Sequence, residues 1–345
     1  MSNRVNRWKY EYVSDIERDA EKLKVFISFQ NILSEHIGPK NLTTELISLE
    51  NFGKILINVF SLFNSELSPY GIGLYLGLSV LDHSCQPNAF VIFDGKKAIL
   101  RSLSPDIDTL SDRVKISYID LFDCTEDRQA KLLDIYFFTC RCSVCNDQQM
   151  DALAHSFRCS RCKDGYIGFN PKSSQLESCA SCNIDKLSLA LTDGIKLMDK
   201  VKKKAKQLDG SNYDERELIS AIEIYHEAEK HFSSFNIPLC CLADSIAVKL
   251  IIAGNFDCAI GFVEKILPAF QKFCPYGYPS LAVQSYKLGK LLAQKECNIN
   301  RAIIQLEQAV GMLKIAFGEN HPNTVDALES ILDMHLFLQQ KCAHK

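Results

Sequence analysis

Leu81-Asp82-His83-Ser84-Cys85-Gln86-Pro87-Asn88 decides how the chain is read. It follows an apolar, glycine-bearing run, Tyr70-Gly71-Ile72-Gly73-Leu74-Tyr75. It precedes a strand-like segment, Ala89-Phe90-Val91-Ile92-Phe93. The stretch offers a thiol, an imidazole, an Asx-type turn former in Asp82 and a Pro-Asn stop. A polar loop between two apolar segments is where sites are commonly built. Alone, it reads as an ordinary loop around a buried free cysteine. The rest of the chain changes that reading.

No cysteine precedes Cys85, and seven of the fifteen fall between Cys140 and Cys182. Met1 to Trp8 has no apolar core, so no signal peptide is expected, and no apolar run is long enough to span a membrane. The chain is therefore expected in the cytoplasm and nucleus, where thiols stay reduced. Clustered cysteines in such a compartment point to metal rather than disulfides. Cys159-x-x-Cys162 and Cys179-x-x-Cys182 are two knuckles with the separation of a zinc ribbon. Four thiolates complete a tetrahedral shell and leave no open position, so the site is expected to be structural. Cys140-x-Cys142-x-x-Cys145 brings three thiolates on one loop and needs a fourth ligand. Cys85, Cys124 and His155 are the candidates, and spacing does not choose among them.

The remaining chain divides by periodicity. Asp15 to His36 predicts one helix closed by Gly38-Pro39, and Leu46 to about Phe63 a second, with Asn58 as an amide on its apolar face. Asp94-Gly95 predicts a hairpin whose return strand is Ala98 to Leu103. A polar loop runs to Arg113, then Val114 to Tyr118 alternates as a half-buried strand. Thr125 to Tyr136 predicts a helix with Leu132, Leu133 and Tyr136 on its apolar face. From about Leu187 onward the pattern is helical, with stripes such as Leu218, Ala221, Ile222, Tyr225, Ala228, Phe232 and Ala302, Leu306, Ala309, Leu313, Phe317. These helices read as paired hairpins of a divergent tetratricopeptide array. The basic run Lys200 to Lys206 reads as the solvated face of a helix end. At 345 residues, 47% hydrophobic and 23% charged, with a net charge of −3, the chain has the composition of a soluble globular protein of two or three domains. That balance gives no electrostatic case for broad nucleic-acid or membrane binding.

The order Gly-Ile-Gly-Leu-Tyr, Asp-His-Ser-Cys-Gln-Pro-Asn, hairpin, Ile-Ser-Tyr and Tyr-Phe-Phe-Thr-Cys-Arg-Cys-Ser-Val-Cys resembles the SET-domain protein lysine methyltransferases, and within them the SMYD family. The helical C-terminal half is similar to that family's tetratricopeptide-like domain, so the resemblance covers nearly the whole chain. It implies an α+β fold. Residues 1–66 would be a helical SET insert and 67–139 a β-rich SET core. Residues 140–186 would be a cysteine-rich post-SET region with a zinc ribbon, and 187–345 the helical array. The implied activity is methyl transfer from S-adenosylmethionine to a lysine ε-amine of a protein or peptide, histone or non-histone. The loop at His83 and the strand ending at Tyr118 would cross in a knot-like arrangement. Cys85 would complete a zinc site with Cys140, Cys142 and Cys145. Tyr118 would be the catalytic residue and Phe60 would line the lysine channel. Phe138 would stack on adenine, with Asn58, Asp82, His83 and Tyr136 along the cofactor. The helical array would be open to a peptide or a chaperone tail.

The chain also departs from the family pattern. Asp82 stands where the family has asparagine, Leu76 where it has proline, and Ser111-Asp112-Arg113 where it has Gly-Glu-Glu. The cysteines of a MYND module and the N-terminal SET segment have no counterpart, so a shortened chain is expected. A second expectation, from a different class, is a catalytically inert zinc-stabilised scaffold whose helical array binds a partner.

Overall fold

The computed structural model describes residues 11–42, 44–64, 67–103, 114–162, 165–179 and 181–343. The readings on Met1 to Trp8 and on Ser111-Asp112-Arg113 lie outside the described residues. The chain forms two compact units. The first comprises Met1–Leu100, Asp106–Ile119 and Gln129–Cys140, the second Arg101–Pro105, Asp120–Arg128 and Arg141–Lys345.

In the first unit the expected helix at 15–36 is two: α1 (Glu11–Arg18) and α2 (Ala20–Ile37). Asp19 breaks them, because its carboxylate accepts the backbone N–H groups of Glu21 and Lys22 and so caps α2. α3 (Glu45–Asn58) packs beside them, and Ile16, Phe26, Leu49 and Phe52 form the shared core. The expected second helix stops at Asn58. Val59–Phe63 is instead strand β1, antiparallel to β2 (Pro69–Leu74). Helical periodicity gave no sign of this, because the change depends on a partner strand. Phe60 faces Gly73 in the register, and a Cβ on Gly73 would lie 2.6 Å from the Tyr75 ring. Glycine there lets Tyr75 fold over the sheet. The other face of β2 is open, with Tyr70, Ile72 and Leu74 exposed.

Strand β3 (Asp82–His83) pairs, in order along the chain, with a much later segment. The hairpin β4 (Ala89–Asp94) and β5 (Lys97–Ser102) turns at Gly95, in the left-handed region at φ 54°, as the Asp-Gly pair predicts. β6 (Lys115–Ile116) is shorter than the expected strand and runs parallel to β3, with Asp82 opposite Lys115 and His83 opposite Ile116. Thr125–Tyr136 is α4, with the expected bounds. Leu132 is fully buried on it, but Leu133 is 57% exposed, so Leu133 does not belong to its apolar face.

The second unit begins its helices with α5 (Ser143–Asn146) and α6 (Gln148–Ala154). Two small antiparallel pairs follow: β7 (Phe157–Arg158) with β8 (Tyr166–Ile167), and β9 (Phe169–Asn170) with β10 (Gln175–Leu176). The helical array is α7 (Leu191–Gly210), α8 (Glu215–Ala228), α9 (Ile237–Ile252), α10 (Phe256–Phe273), α11 (Pro279–Leu292), α12 (Ile299–Ala316) and α13 (Pro322–Ala343). Both stripes read from sequence are its core: Ala221, Ala228, Phe232, Ala302, Leu306, Ala309 and Leu313 are fully buried. Leu187 precedes the first helix and packs on the cysteine ribbon. The lysine run lies within α7, not at its end. Lys204 is buried against Glu217 at 2.5 Å, and Lys202 pairs with Glu126 and, at 3.3 Å, with Asp127. Lys200, Lys203 and Lys206 are exposed, so the run is a solvated face in part, with Lys202 and Lys204 drawn into ion pairs. No helix of the described residues is long and apolar enough to cross a membrane.

Candidate active site and metal centres

The parallel pairing of β3 with β6 builds the site. Ser84 N–H donates to Ile116 O at 2.9 Å, Asn88 N–H to Lys115 O at 3.2 Å, and Lys115 N–H back to Asn88 Oδ1 at 2.8 Å. The loop from Ser84 to Asn88 thus wraps β6, and the chain leaves β6 with Tyr118 beside His83. Tyr118 N–H donates to His83 Nδ1 at 3.1 Å. Since Nδ1 accepts, a neutral imidazole carries its proton on Nε2. That nitrogen lies 3.2 Å from Cys85 Sγ. One histidine ring therefore touches both the expected catalytic phenol's backbone and an expected metal ligand.

The phenol is fixed on several sides. Its hydroxyl donates to Leu81 O, and Tyr118 O accepts from the Tyr136 hydroxyl at 3.3 Å. Its ring centroid lies 4.9 Å from Tyr136, 5.1 Å from His83 and 6.3 Å from Phe138. Phe138 in turn lies 5.8 Å from His83. All four rings are half-buried, so they are ordered yet still reachable. Phe137 makes this possible. It takes φ 55° at the end of α4, where its N–H reaches Leu133 O, and the reversed chain points Phe138 inward. A non-glycine residue in that region costs ~1–2 kcal/mol, which the packing of Phe137 on the first unit's core and beneath Lys22 Nζ, 5.6 Å away, offsets.

The structure thus brings Tyr118, His83, Tyr136, Phe138 and Cys85 together. Asp82 is next to His83 on β3, half-buried. Asn58 and Phe60 belong to another set of contacts at the junction of α3 and β1. Asn58 is buried and its amide donates to Lys54 O at 2.7 Å, so it closes its own helix. Phe60 meets Tyr75 edge-on at 6.1 Å, and Tyr75 packs on Phe93 at 5.6 Å while its hydroxyl donates to Lys96 O at 2.9 Å. Sequence reasoning missed Tyr75 and also Gln129, whose side chain grips Cys140 from α4. An amide amid the charges of an amphipathic helix carries no signal.

Cys85, Cys140, Cys142 and Cys145 place their sulfurs within 4.8 Å of one another, and so do Cys159, Cys162, Cys179 and Cys182. Ligands of a tetrahedral zinc with Zn–S of about 2.3 Å stand about 3.8 Å apart, so both groups fit zinc. The choice left open by spacing falls on Cys85. Cys124 and His155 are buried instead with each other. The ribbon is built for sulfur: a Cβ on Gly165 would lie 2.8 Å from Cys179 Sγ and 2.7 Å from Cys162 Cβ. The backbone N–H of Cys162 holds the Cys159 thiol down to about 7, and a hydrogen bond with Cys182 pushes Cys162 up to about 12. In the second unit His155 lies 3.4 Å from Glu126. Burial opposes its charge, but the Cys124 and Glu126 side chains outweigh this and push it up to about 10. The His155 bond, with Lys202, holds Glu126 down at about 2 despite burial. A cavity of about 260 Å³ lies apart from all these residues, among Tyr225, Phe232, Leu239 and Ile266 of the helical array.

No family model matches the chain. Among curated proteins it is 29% identical over 287 residues to histone-lysine N-methyltransferase ASHR1 of Arabidopsis thaliana, 79% of this chain and 58% of that protein. It is 24% identical over 339 residues to histone-lysine N-methyltransferase SMYD3 of Mus musculus, 96% of this chain and 69% of that protein. It is 26% identical over 275 residues to N-lysine methyltransferase SMYD2 of Rattus norvegicus, 79% of this chain and 57% of that protein. The chain thus spans between 57% and 69% of the length of these relatives. These matches cover 79% to 96% of the chain, which is thus similar over most of its length to lysine methyltransferases of SMYD type.

Proposed function

We propose that the chain is a protein-lysine N-methyltransferase that uses S-adenosylmethionine, with two structural zinc ions. The observation that supports this best is the packing of Tyr118, His83, Tyr136 and Phe138 beside a four-cysteine group. The lysine methyltransferases among its relatives favour this reading over an inert scaffold. In it, residues 67–139 are the SET core, 140–186 the post-SET region and 187–345 a tetratricopeptide-like domain, with 1–66 as the helical insert.

When bound, S-adenosylmethionine supplies an electrophilic methyl on a sulfonium. The half-buried faces of Phe138 and Tyr136 suit a flat base, and Asp82 accepts rather than donates, which favours an ammonium over a carboxylate. In this reading His83 borders the cofactor beside Tyr118, and Asn58 borders it from the junction of α3 and β1. Phe60, backed by Tyr75, lines an apolar channel that disfavours a charged ammonium and so favours the neutral lysine amine. Tyr118 Oη donates to Leu81 O, which leaves its lone pairs to accept an N–H of that amine and orient its nitrogen. The proton lost by the lysine leaves to water before attack, since a phenol is a poor base at neutral pH. The enzyme's contribution is then alignment and exclusion of water. One zinc, on Cys85, Cys140, Cys142 and Cys145, fixes the loop that carries Phe138. The other, on Cys159, Cys162, Cys179 and Cys182, stiffens the ribbon. Substrates are protein lysines, histone or non-histone, in nucleus or cytoplasm.

The test is calorimetric titration of the zinc-loaded chain with S-adenosylhomocysteine, followed by methyl transfer to a lysine-containing histone peptide. Saturable binding that Phe138→Ala abolishes is expected. A folded, zinc-loaded chain that binds none would overturn the proposal.

A further inference from the structure

Gln129 stands two helical turns before the end of α4. Its Nε2 donates to Cys140 O at 2.8 Å, and its Oε1 accepts from Cys140 N–H at 2.9 Å. A primary amide carries the same donor and acceptor pair as a peptide group, so it can replace a neighbouring strand for one residue. Cys140 is only 7% exposed, so water has little access to replace that amide at its backbone groups. The chain reverses at Phe137, where Phe137 N–H bonds Leu133 O at 3.1 Å and Phe138 N–H bonds Leu132 O at 3.5 Å. Residues 138 to 140 therefore run back along α4, fixed at one end by this turn and at the other by the amide.

We propose that Gln129 is a positioning residue. It holds Cys140 at its place in the Cys85, Cys140, Cys142, Cys145 group and keeps Phe138 against His83 and Tyr118. Three features carry this. Both hydrogen bonds go to the backbone of a metal-group residue and not to its side chain, so they fix its conformation without engaging the sulfur. Cys140 leads its loop, so its placement sets where the loop's other sulfurs begin. Phe138 lies between the turn at Phe137 and the amide at Cys140, so its orientation depends on both ends of the segment. The inference rests on reading that group as a zinc site.

The experiment is zinc release from the full, zinc-loaded chain to a chelating dye, with total zinc measured first by mass spectrometry. The Cys85→Ser variant identifies which release phase belongs to this group. Gln129→Ala is expected to speed that phase about 10–100-fold, the usual effect of losing an outer-sphere partner, and to leave the ribbon phase unchanged. Gln129→Glu keeps the acceptor for Cys140 N–H and loses the donor, so it should fall between. Gln129→Asn, one methylene shorter, should resemble Ala. If Gln129→Ala does not fold, the Glu and Asn variants carry the comparison. Release at the native rate in all three, or equal acceleration of both phases, overturns the inference while the zinc reading stands. A native chain with no zinc phase sensitive to Cys85→Ser overturns both.

Discussion

His83→Phe is the most discriminating single change. Phenylalanine keeps a ring of similar size, so the packing at 5.1 Å to Tyr118 and 5.8 Å to Phe138 can persist. It removes both nitrogens. Tyr118 N–H then loses its acceptor at 3.1 Å. Tyr118 is half-buried, so water partly replaces that bond and the cost is about 1 kcal/mol. Cys85 Sγ loses the Nε2–H donor at 3.2 Å. Loss of such a partner weakens metal affinity about 10–100-fold, or about 1.4–2.8 kcal/mol. The assay is zinc release beside thermal denaturation and methyl transfer. Faster release from the Cys85 group only, a modest drop in melting temperature and reduced turnover are expected together. Native zinc release with native turnover would refute the claim that one imidazole serves both sites.

Tyr118→Phe keeps the ring contacts and loses the hydroxyl bond to Leu81 O, so its melting temperature should fall slightly. If the phenol orients the amine, turnover should fall at least about 100-fold with cofactor affinity nearly unchanged, as a titration beside a rate assay will show. Cys142→Ser should lower the zinc content of the chain by about one ion and lower its melting temperature; an unchanged melting curve and zinc content would sink that assignment. His155 is raised to about 10 and Glu126 lowered to about 2. The histidine's contribution is complete below its ordinary value and lost as pH rises through about 10. The glutamate's is complete above its ordinary value and lost as pH falls through about 2. Stability curves against pH should therefore flatten on the alkaline side in His155→Gln, and identical curves would count against the pair. Gly165→Ala should release ribbon zinc faster, since its methyl would meet Cys179 Sγ at 2.8 Å; colorimetric release reads this directly.

Elements set by local chemistry were legible in the sequence. Asp94-Gly95 marked its hairpin, and α4 began and ended where its charges and apolar residues placed it. The ribbon and the three-cysteine loop at Cys140, Cys142 and Cys145 were legible because knuckle spacing is a local property. What required a distant partner was not. Val59–Phe63 looks helical until Pro69–Leu74 pairs with it. The choice of Cys85 over Cys124 and His155 depends on β3 meeting β6 across more than thirty residues. Asp19 could have been read as a cap, since an aspartate before an apolar periodic run is a start signal, but the run on either side masked it. Phe137 in the left-handed region was invisible, because that conformation is ordinarily glycine's. Gln129 is legible only once Cys140 has folded back beside it.

The shared imidazole has a thermodynamic consequence. Coupling between two sites is reciprocal: if holding the ion favours the ordered Tyr118, then occupying the site at Tyr118 favours holding the ion by the same factor. His83 carries that exchange over two contacts, 3.1 Å to one side and 3.2 Å to the other. A molecule bound against the phenol would act as a lock on the metal several bonds away. The ion's rate of escape then becomes a reporter of occupancy, readable with no turnover at all.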